Sequence, residues 1–293
     1  MSAERGFAGR LEMPPDRPFR ILQLTDLHLA DAPEDAPVYA RIAALAAFAK
    51  PDLVFLTGDQ AMSDRAPAAY ARLSATMDAL FVPWVFVFGN HDAERGVSRR
   101  ELASVAAKAA RIRYAARNAA SGESDFCLEI GTSWIVFGLD TRIDAMYEID
   151  GRSVWGYDAV RPTQVDWFER VLDEAGPGVG SVVFQHIPPA VVRRFDESGS
   201  TRLHGFRHEG ISAAPVDFGY EAALVRRGTA AVFYGHDHVN DFAFERDGVR
   251  FAYGRCSGDY DYCALILPKG GRIVDLYGDG TFDTYVLEHR DVL

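Results

Sequence analysis

Short runs of apolar residues alternate with longer amphipathic stretches along the first third of the chain. The runs FRILQL, DLVFLTG and WVFVFG, at 19–24, 52–58 and 84–89, have the length of buried strands. Between them, apolar residues at 38–50 and 67–80 recur with the spacing of a helix. Continuous apolar strands separated by helices are typical of a parallel sheet that is covered on both faces. The pattern therefore predicts an α/β fold.

Strands outnumber helices in the remaining part of the chain. We predict further strands at 125–130, 133–140, 181–186 and 231–238, and further helices near 98–110, 162–174 and 219–227. Residues 241–280 alternate as strands, with Asp247 and Gly248 in a hairpin turn. We expect these last strands to complete a second sheet within one domain at 19–293, after an N-terminal arm at 1–18.

Composition narrows the choice of partners and location. Of the 293 residues, 48% are hydrophobic and 25% are charged, which is ordinary for a soluble globular protein. The net charge of -11 argues against a nucleic-acid partner. The chain has no apolar run that could span a membrane and no signal-peptide pattern. Because Cys127, Cys256 and Cys263 lack paired spacing, we predict buried thiols in a cytoplasmic protein.

Polar side chains follow several of the predicted strands. These residues are Asp26, His28, Asp59, Asn90, His91, Asp92, His186, His236 and His238. They include most of the 8 histidines in the chain. In open α/β sheets, ligands bind beyond the carboxyl ends of the strands, so we expect these groups to meet at one edge.

The residue types at these strand ends are those that bind metal ions. Carboxylates, an amide and imidazoles together suit Mn, Fe, Zn or Ni. Their number exceeds what one tetrahedral zinc ion needs. Two ions that share a carboxylate would use the surplus groups. The sequence therefore predicts a dinuclear centre of divalent ions whose identity stays open.

The strand-end motifs DLH, GDQ, GNHD, QHIP and GHDH resemble the motif series of the calcineurin-like metallophosphoesterases. This resemblance implies a four-layered α/β/β/α sandwich with two mixed β-sheets flanked by helices. It further implies that Asp26, His28 and His238 hold one metal ion, that Asn90, His186 and His236 hold the second, and that Asp59 bridges both. His91 would be the catalytic histidine, with Asp92 as its orienting partner.

The reaction that the resemblance implies is hydrolysis of a phosphoric ester. A hydroxide between the metals would attack phosphorus in line, and His91 would protonate the leaving oxygen. The substrate would be a small phosphomonoester or phosphodiester that contacts Asn90 and His91. Two alternatives remain: a cyclic-nucleotide phosphodiesterase or nuclease, and a catalytically idle scaffold that keeps the metals. The presence of His91 beside the complete ligand set argues against the idle scaffold.

Parts of the second half look similar to the purple-acid-phosphatase-related branch of that superfamily. In that branch a tyrosine that binds ferric iron follows the bridging aspartate by three residues, and here the position is Met62. This difference favours a divalent pair. Further substrate contacts are expected from Arg95, Arg142, His204 and His208. The last two lie at 188–215, a stretch without strand or helix pattern that we expect to shape access to the site.

Overall fold

The computed structural model describes residues 6–113, 123–259 and 266–292. Its α-helices are α1 (Ala36–Ala49), α2 (Ala66–Ala79), α3 (Arg99–Ala106), α4 (Pro162–Ala175) and α5 (Tyr220–Arg226). Its strands are β1 (Phe7–Leu11), β2 (Phe19–Leu24), β3 (Leu53–Thr57), β4 (Trp84–Val87), β5 (Phe126–Ile130), β6 (Trp134–Gly138), β7 (Asp144–Ile149), β8 (Arg152–Tyr157), β9 (Gly180–Phe184), β10 (Ser200–His204), β11 (Ala231–Tyr234), β12 (Ala243–Arg246), β13 (Val249–Tyr253), β14 (Gly270–Leu276) and β15 (Phe282–Glu288). Cys127 and Cys256 are buried as predicted, and Cys263 lies outside the described residues.

The first sheet contains the strands that the apolar runs predicted. Strands β2, β3 and β4 are parallel neighbours, with Leu22 opposite Val54 and Val54 opposite Trp84. The sheet order is β15-β14-β2-β3-β4. Because β2, β3 and β4 run in one direction, their carboxyl ends lie at one edge of the sheet.

The second sheet has the order β1-β5-β6-β9-β11-β13-β12-β10. The prediction that all strands at 241–280 complete this sheet is wrong for β14. Strands β12 and β13 do pair here, but β14 runs antiparallel to β2 in the first sheet, with Ile273 opposite Leu22. Pairing with β14 covers the outer edge of β2, whose backbone groups would otherwise lack partners, and β15 pairs in turn with β14.

The predicted N-terminal arm is in part a strand. Residues Phe7–Leu11 form β1, which pairs in parallel with β5 at the edge of the second sheet. Arg10 supports this pairing, because its Nε donates to Glu129 Oε2 over 2.7 Å. The pairing shifts register between Phe7 and Arg10, where Gly9 has a φ of 122°. A short, irregular strand with a central glycine carries no apolar run that the sequence pattern could detect.

Alternation along the strands produces the predicted four layers. In β2, Leu22 and Leu24 pack in a core with α1 and α2, whereas Phe19 and Ile21 pack between the two sheets. A third core, around Phe137, lies between the second sheet and the helices α4 and α5. The α/β/β/α sandwich is therefore confirmed. Among the described residues, no helix is both long and apolar enough to cross a membrane.

Two regions of the chain contain elements that the sequence pattern did not predict. Within 188–215, a 3-10 helix forms at Ala190–Arg194, and β10 pairs antiparallel with β12. Strands β7 and β8 form a separate hairpin around Asp150 and Gly151, which have φ values of 52° and 72°. An Asp-Gly pair with positive φ at both residues is the turn that two-residue hairpins prefer, so this signal was present in the sequence.

Candidate metal centre

The loops that follow β2 and β3 lie side by side in an unusual backbone conformation. Asp26, His28 and Asp59 have positive φ values of 55°, 49° and 53°. The Asp26 N–H donates to Gly58 O over 3.1 Å, and the His28 N–H donates to Asp59 O over 2.9 Å. A positive φ is unfavourable for residues other than glycine and is concentrated at functional sites. Here it turns three side chains toward one another.

Two groups of three potential ligands form at this edge. The first is Asp26, His28 and His238, and the second is Asp59, His186 and His236. In each group the three ligand atoms lie within 4.8 Å of one another. Asp59 Oδ2 connects the groups, because it is 3.2 Å from His186 Nε2 and 3.7 Å from His28 Nε2. Asn90 adds an amide oxygen 3.0 Å from His186 Nε2.

The donor set fits divalent cations better than it fits hydrogen bonding. His28 Nε2 and His238 Nε2 face each other at 3.1 Å, a pair of ring nitrogens that bond only when one of them carries a proton. Within the described part of the chain, the buried atom His236 Nε2 has no hydrogen-bond partner. Buried polar atoms are normally satisfied, so a site that leaves such a lone pair open is suited to metal ions.

The electrostatics of the site keep its carboxylates ionised. Burial by itself raises the pKa of Asp26, but the neighbouring His238 outweighs it and holds this pKa at about 2. The pKa of Asp59 is likewise well below its ordinary value, against burial, because of His186. Burial lowers the pKa of His236 to about 3, and His186 beside it acts in the same direction. Against the effect of burial, Asp59 raises the pKa of His186 to about 9, so a metal ion that binds this histidine displaces a proton.

Two glycines make this close approach possible. A Cβ atom on Gly58 would lie 2.3 Å from His186 Nδ1, and one on Gly89 would lie 2.1 Å from Asp59 Oδ1. Both distances are far below any van der Waals contact, so any other residue would displace a candidate ligand. The glycines of the GDQ and GNHD motifs thus have a steric role as well as a conformational one.

His91 lies beside the two groups of ligands, at the rim of the site. Its backbone N–H donates to Asp59 Oδ1 over 2.8 Å, and its ring is 5.6 Å from that of His28 between centroids. Its Nδ1 is 2.6 Å from Glu94 Oε1. With Nδ1 held by a carboxylate, Nε2 is the nitrogen left for another partner. The ring is also partly exposed, so a ligand can reach it from solvent.

Asp92 does not orient His91, which corrects the role predicted for it. The carboxylate of Asp92 is fully buried and accepts hydrogen bonds from the backbone N–H groups of Gly89, Asp59 and Ala61 over 2.8, 3.0 and 3.0 Å. These N–H groups lie in the loops after β3 and β4, where no strand partner satisfies them. Glu94, which the sequence analysis did not single out, has the place next to His91.

The four further substrate contacts receive unequal support. Arg95 is exposed with a φ of 56°, and the N–H of Arg142 donates to Asp140 Oδ1 over 2.8 Å. His204 is exposed on β10, the edge strand of the second sheet. The contacts described for Arg95, Arg142 and His204 therefore do not involve the candidate ligands. The N–H of His208 donates to Asn240 Oδ1 over 3.0 Å, two residues after His238.

Tyr157 is a residue near the centre that the sequence analysis did not assign. Its ring meets that of His236 edge-on, with 4.3 Å between centroids and 84° between planes. Burial raises the pKa of Tyr157, and the nearby carboxylates of Asp237 and Asp59 raise it further. The hairpin turn at Asp150 is the sequence signal that could have pointed to Tyr157, because the strand after that turn, β8, ends at Tyr157.

Comparison with known proteins gives the class of the molecule. The model of the calcineurin-like phosphoesterase family matches residues 19–240. The chain belongs to this family. It is therefore a metal-dependent phosphoesterase, a hydrolase that acts on ester bonds, and the resemblance stated from the strand-end motifs is confirmed.

Individual relatives agree with this assignment. An Arabidopsis thaliana protein named "Probable inactive purple acid phosphatase 29" is 27% identical over 297 residues, which cover 87% of this chain and 76% of that protein. A Synechococcus protein named "Probable cyclic nucleotide phosphodiesterase" is 25% identical over 274 residues, which cover 91% of each chain. The first name describes a phosphatase homologue without activity, and the second describes a phosphodiesterase.

Solved structures share the fold. A dimetal phosphatase from Danio rerio has a TM-score of 0.66 and 14% identity, with 94% of this chain and 97% of that chain covered. A purple acid phosphatase from yellow lupin has a TM-score of 0.55 and 12% identity, with 94% of this chain and 52% of that chain covered. At these low identities the two structures show that the fold is shared.

Proposed function

We propose that Asp26, His28 and His238 hold one divalent ion, that Asn90, His186 and His236 hold a second, and that Asp59 bridges them. The observation that carries this proposal is the pair of ligand groups joined through Asp59 Oδ2, which approaches one histidine of each group. A carboxylate in that position reduces the repulsion between two neighbouring cations. Mn, Fe, Zn and Ni all suit this mixture of oxygen and nitrogen donors.

The proposed reaction is hydrolysis of a small phosphomonoester or phosphodiester. When bound, two divalent ions supply the Lewis acidity that lowers the pKa of water and offsets the charge of the phosphoryl group. The amide of Asn90 and the imidazole of His91 would contact the phosphoryl oxygens. The net charge of -11 supports a small substrate over a nucleic acid, which needs an extended basic surface.

His91 is the proposed proton donor to the leaving oxygen. Its Nδ1 is tied to the carboxylate of Glu94 at 2.6 Å, so its Nε2 can carry a proton toward the substrate. A carboxylate on the far nitrogen fixes the tautomer and orientation of an imidazole and stabilises its protonated form. We therefore propose that Glu94 positions His91, the role that the sequence analysis had assigned to Asp92.

An idle metal-holding scaffold is the second candidate function. The word "inactive" in the name of the Arabidopsis thaliana relative favours it. The pairing of His91 with Glu94 favours turnover instead, because a scaffold needs no proton donor beside its metals. Within the enzymes, the name of the Synechococcus relative supports a diester substrate and that of the Danio rerio structure a phosphatase.

A direct assay separates these functions. The chain is stripped with a chelator, reloaded with Mn, Ni or Zn, and its metal content is measured by elemental analysis. Hydrolysis of p-nitrophenyl phosphate and of bis-(p-nitrophenyl) phosphate is then followed. Two ions per chain with activity on either ester support the proposal, and the preferred ester distinguishes a monoesterase from a diesterase. Two bound ions with activity on neither ester would make the chain a scaffold.

A further inference from the structure

The hairpin of β7 and β8 has two faces of opposite character. The strands pair from Asp144 opposite Tyr157 to Ile149 opposite Arg152. Side chains alternate across a strand, so Tyr147 and Gly156 share one face. Tyr147 is buried, and a Cβ atom on Gly156 would lie 2.7 Å from Pro215 Cδ. This face is therefore packed against the body of the protein at Tyr147 and Gly156.

The other face carries exposed rings that lead to the metal centre. Trp155 and Met146 are opposite each other on it, and their side chains are 56% and 62% exposed. The Trp155 ring is 5.4 Å from the Tyr157 ring, which in turn meets the ring of the candidate ligand His236 at 4.3 Å. We call Tyr157 and Trp155 the aromatic row. It runs outward from the candidate metal centre along one strand.

The outer ring of this row is held in place. The indole Nε1 of Trp155 donates to Asp144 Oδ2 over 3.0 Å, a bond between neighbouring strands on the same face. A large apolar ring that is fixed yet more than half exposed is costly to leave in water. Such rings occur where a protein contacts a ligand, because they offer area with little loss of conformational entropy.

We propose that the aromatic row binds a planar aromatic ring in the organic part of the substrate. This inference rests on the proposed function, which holds the phosphoryl group at the metals beside His236. The organic part of the ester must then extend outward over the rim, and the aromatic row lines one route away from it. An aromatic ring gains more than an aliphatic chain from such a surface, because it can stack on the indole.

The charges on this face narrow the substrate further. Asp144 and Glu148 are exposed on the same side of the hairpin as Trp155. A second phosphate or a carboxylate near the ring would be repelled by them. The substrate class is therefore a phosphoric ester whose organic part carries an aromatic ring that is neutral or positively charged.

The test compares two alkyl esters that differ in the ring. Hydrolysis of benzyl phosphate and ethyl phosphate by the Mn-loaded protein is measured for the natural chain, Trp155→Ala and Trp155→Phe. We expect Trp155→Ala to raise the ratio of the KM for benzyl phosphate to that for ethyl phosphate about tenfold, the size of lost ring stacking. Trp155→Phe should restore most of the ratio. An unchanged ratio in Trp155→Ala overturns the inference.

A matched control and a binding measurement complete the test. Phe81, which is 75% exposed before β4 and thus at the opposite end of that strand from the site, supplies the control variant Phe81→Ala, with no expected change. Calorimetry with benzylphosphonate and methylphosphonate measures binding without turnover. Tighter binding of benzylphosphonate that depends on Trp155 supports the inference even if neither monoester is hydrolysed, and the assay with bis-(p-nitrophenyl) phosphate then tests the proposed function separately.

A different occupant would also be detected. If the row instead joined two copies of this chain, sedimentation would show a dimer that Trp155→Ala dissociates, and benzylphosphonate would bind no more tightly than methylphosphonate. That combination of results would overturn the inference.

Discussion

The candidate metal centre and the aromatic row meet at His236, yet they are built in opposite ways. At the centre, Asp26 and Asp59 are buried, ionised and held at positive φ. On the row, Trp155 is exposed and lies in a regular antiparallel pair. Polar groups are thus taken out of water in one region, and an apolar ring is left in water in the other.

Each region contains side chains in an environment that is unfavourable without a ligand: polar groups are buried in one, and an apolar ring is exposed in the other. Burying carboxylates and imidazoles is unfavourable unless a partner of opposite charge compensates them. Exposing an indole is unfavourable unless another apolar surface covers it. The difference indicates that the inner region suits cations and phosphate and the outer region suits the organic part of an ester.

The largest effect is expected from Asp59→Asn. Loss of the bridging charge should remove bound metal and lower kcat/KM by more than about 1000-fold, because even residues that only orient metal ligands contribute about 10- to 100-fold. Elemental analysis and the p-nitrophenyl phosphate assay measure the two losses together. Asp279→Asn, in an exposed turn where the carboxylate bonds only locally to Thr281, is the matched control.

Thermal unfolding checks the same variant without turnover. Ions at 100 times their dissociation constant should stabilise the natural chain by about 2.7 kcal/mol, since they bind the folded state. Asp59→Asn should show little of this stabilisation. Equal stabilisation of both proteins by Mn would rule out Asp59 as a bridge.

His91→Ala should separate chemistry from metal binding. We expect kcat to fall about 100-fold, at the lower end of what a general acid contributes. The number of bound ions should stay at that of the natural chain, because His91 is at the rim and not within either group of ligands. A kcat unchanged by this substitution would remove the proton donor from the proposal.

Substitutions of Asp92 and Glu94 test which of the two carboxylates positions His91. Asp92→Ala leaves three backbone N–H groups unsatisfied and should lower the free energy of unfolding by about 3 kcal/mol in urea. Glu94→Gln should leave that free energy nearly unchanged and lower kcat about tenfold, as expected for an orienting carboxylate. Glu94→Asp should recover part of the loss. The reverse pattern would restore the role first predicted for Asp92.

The smallest effect is expected at β10. His204→Ala should change kcat and KM by less than about twofold, because a surface substitution away from the site removes no contact with it. His208→Ala is the comparison, because the backbone N–H of His208 bonds to Asn240, two residues from His238. A marked rise in KM for His204→Ala would extend the substrate site beyond the centre and the aromatic row.

The strand-end residues were predictable because their geometry follows from one local rule. Parallel strands end at one edge, so the positions after β2, β3 and β4 had to be neighbours once those strands were recognised. The partner of His91 was not predictable in this way. Asp92 is adjacent to His91 in sequence, but its carboxylate accepts hydrogen bonds from backbone N–H groups of two loops. Only the positions of those loops in space reveal these bonds.

The sequence by itself determined the order of strands and helices at 19–89, the residue types at the strand ends, and through them the family. These depend on periodicity and on motifs, which are properties of short segments. The tertiary structure decided which distant segments meet: β14 beside β2, Glu94 beside His91, and Tyr157 beside His236. Such contacts depend on how all the layers pack together, because each surface finds its partner only when the whole chain is folded.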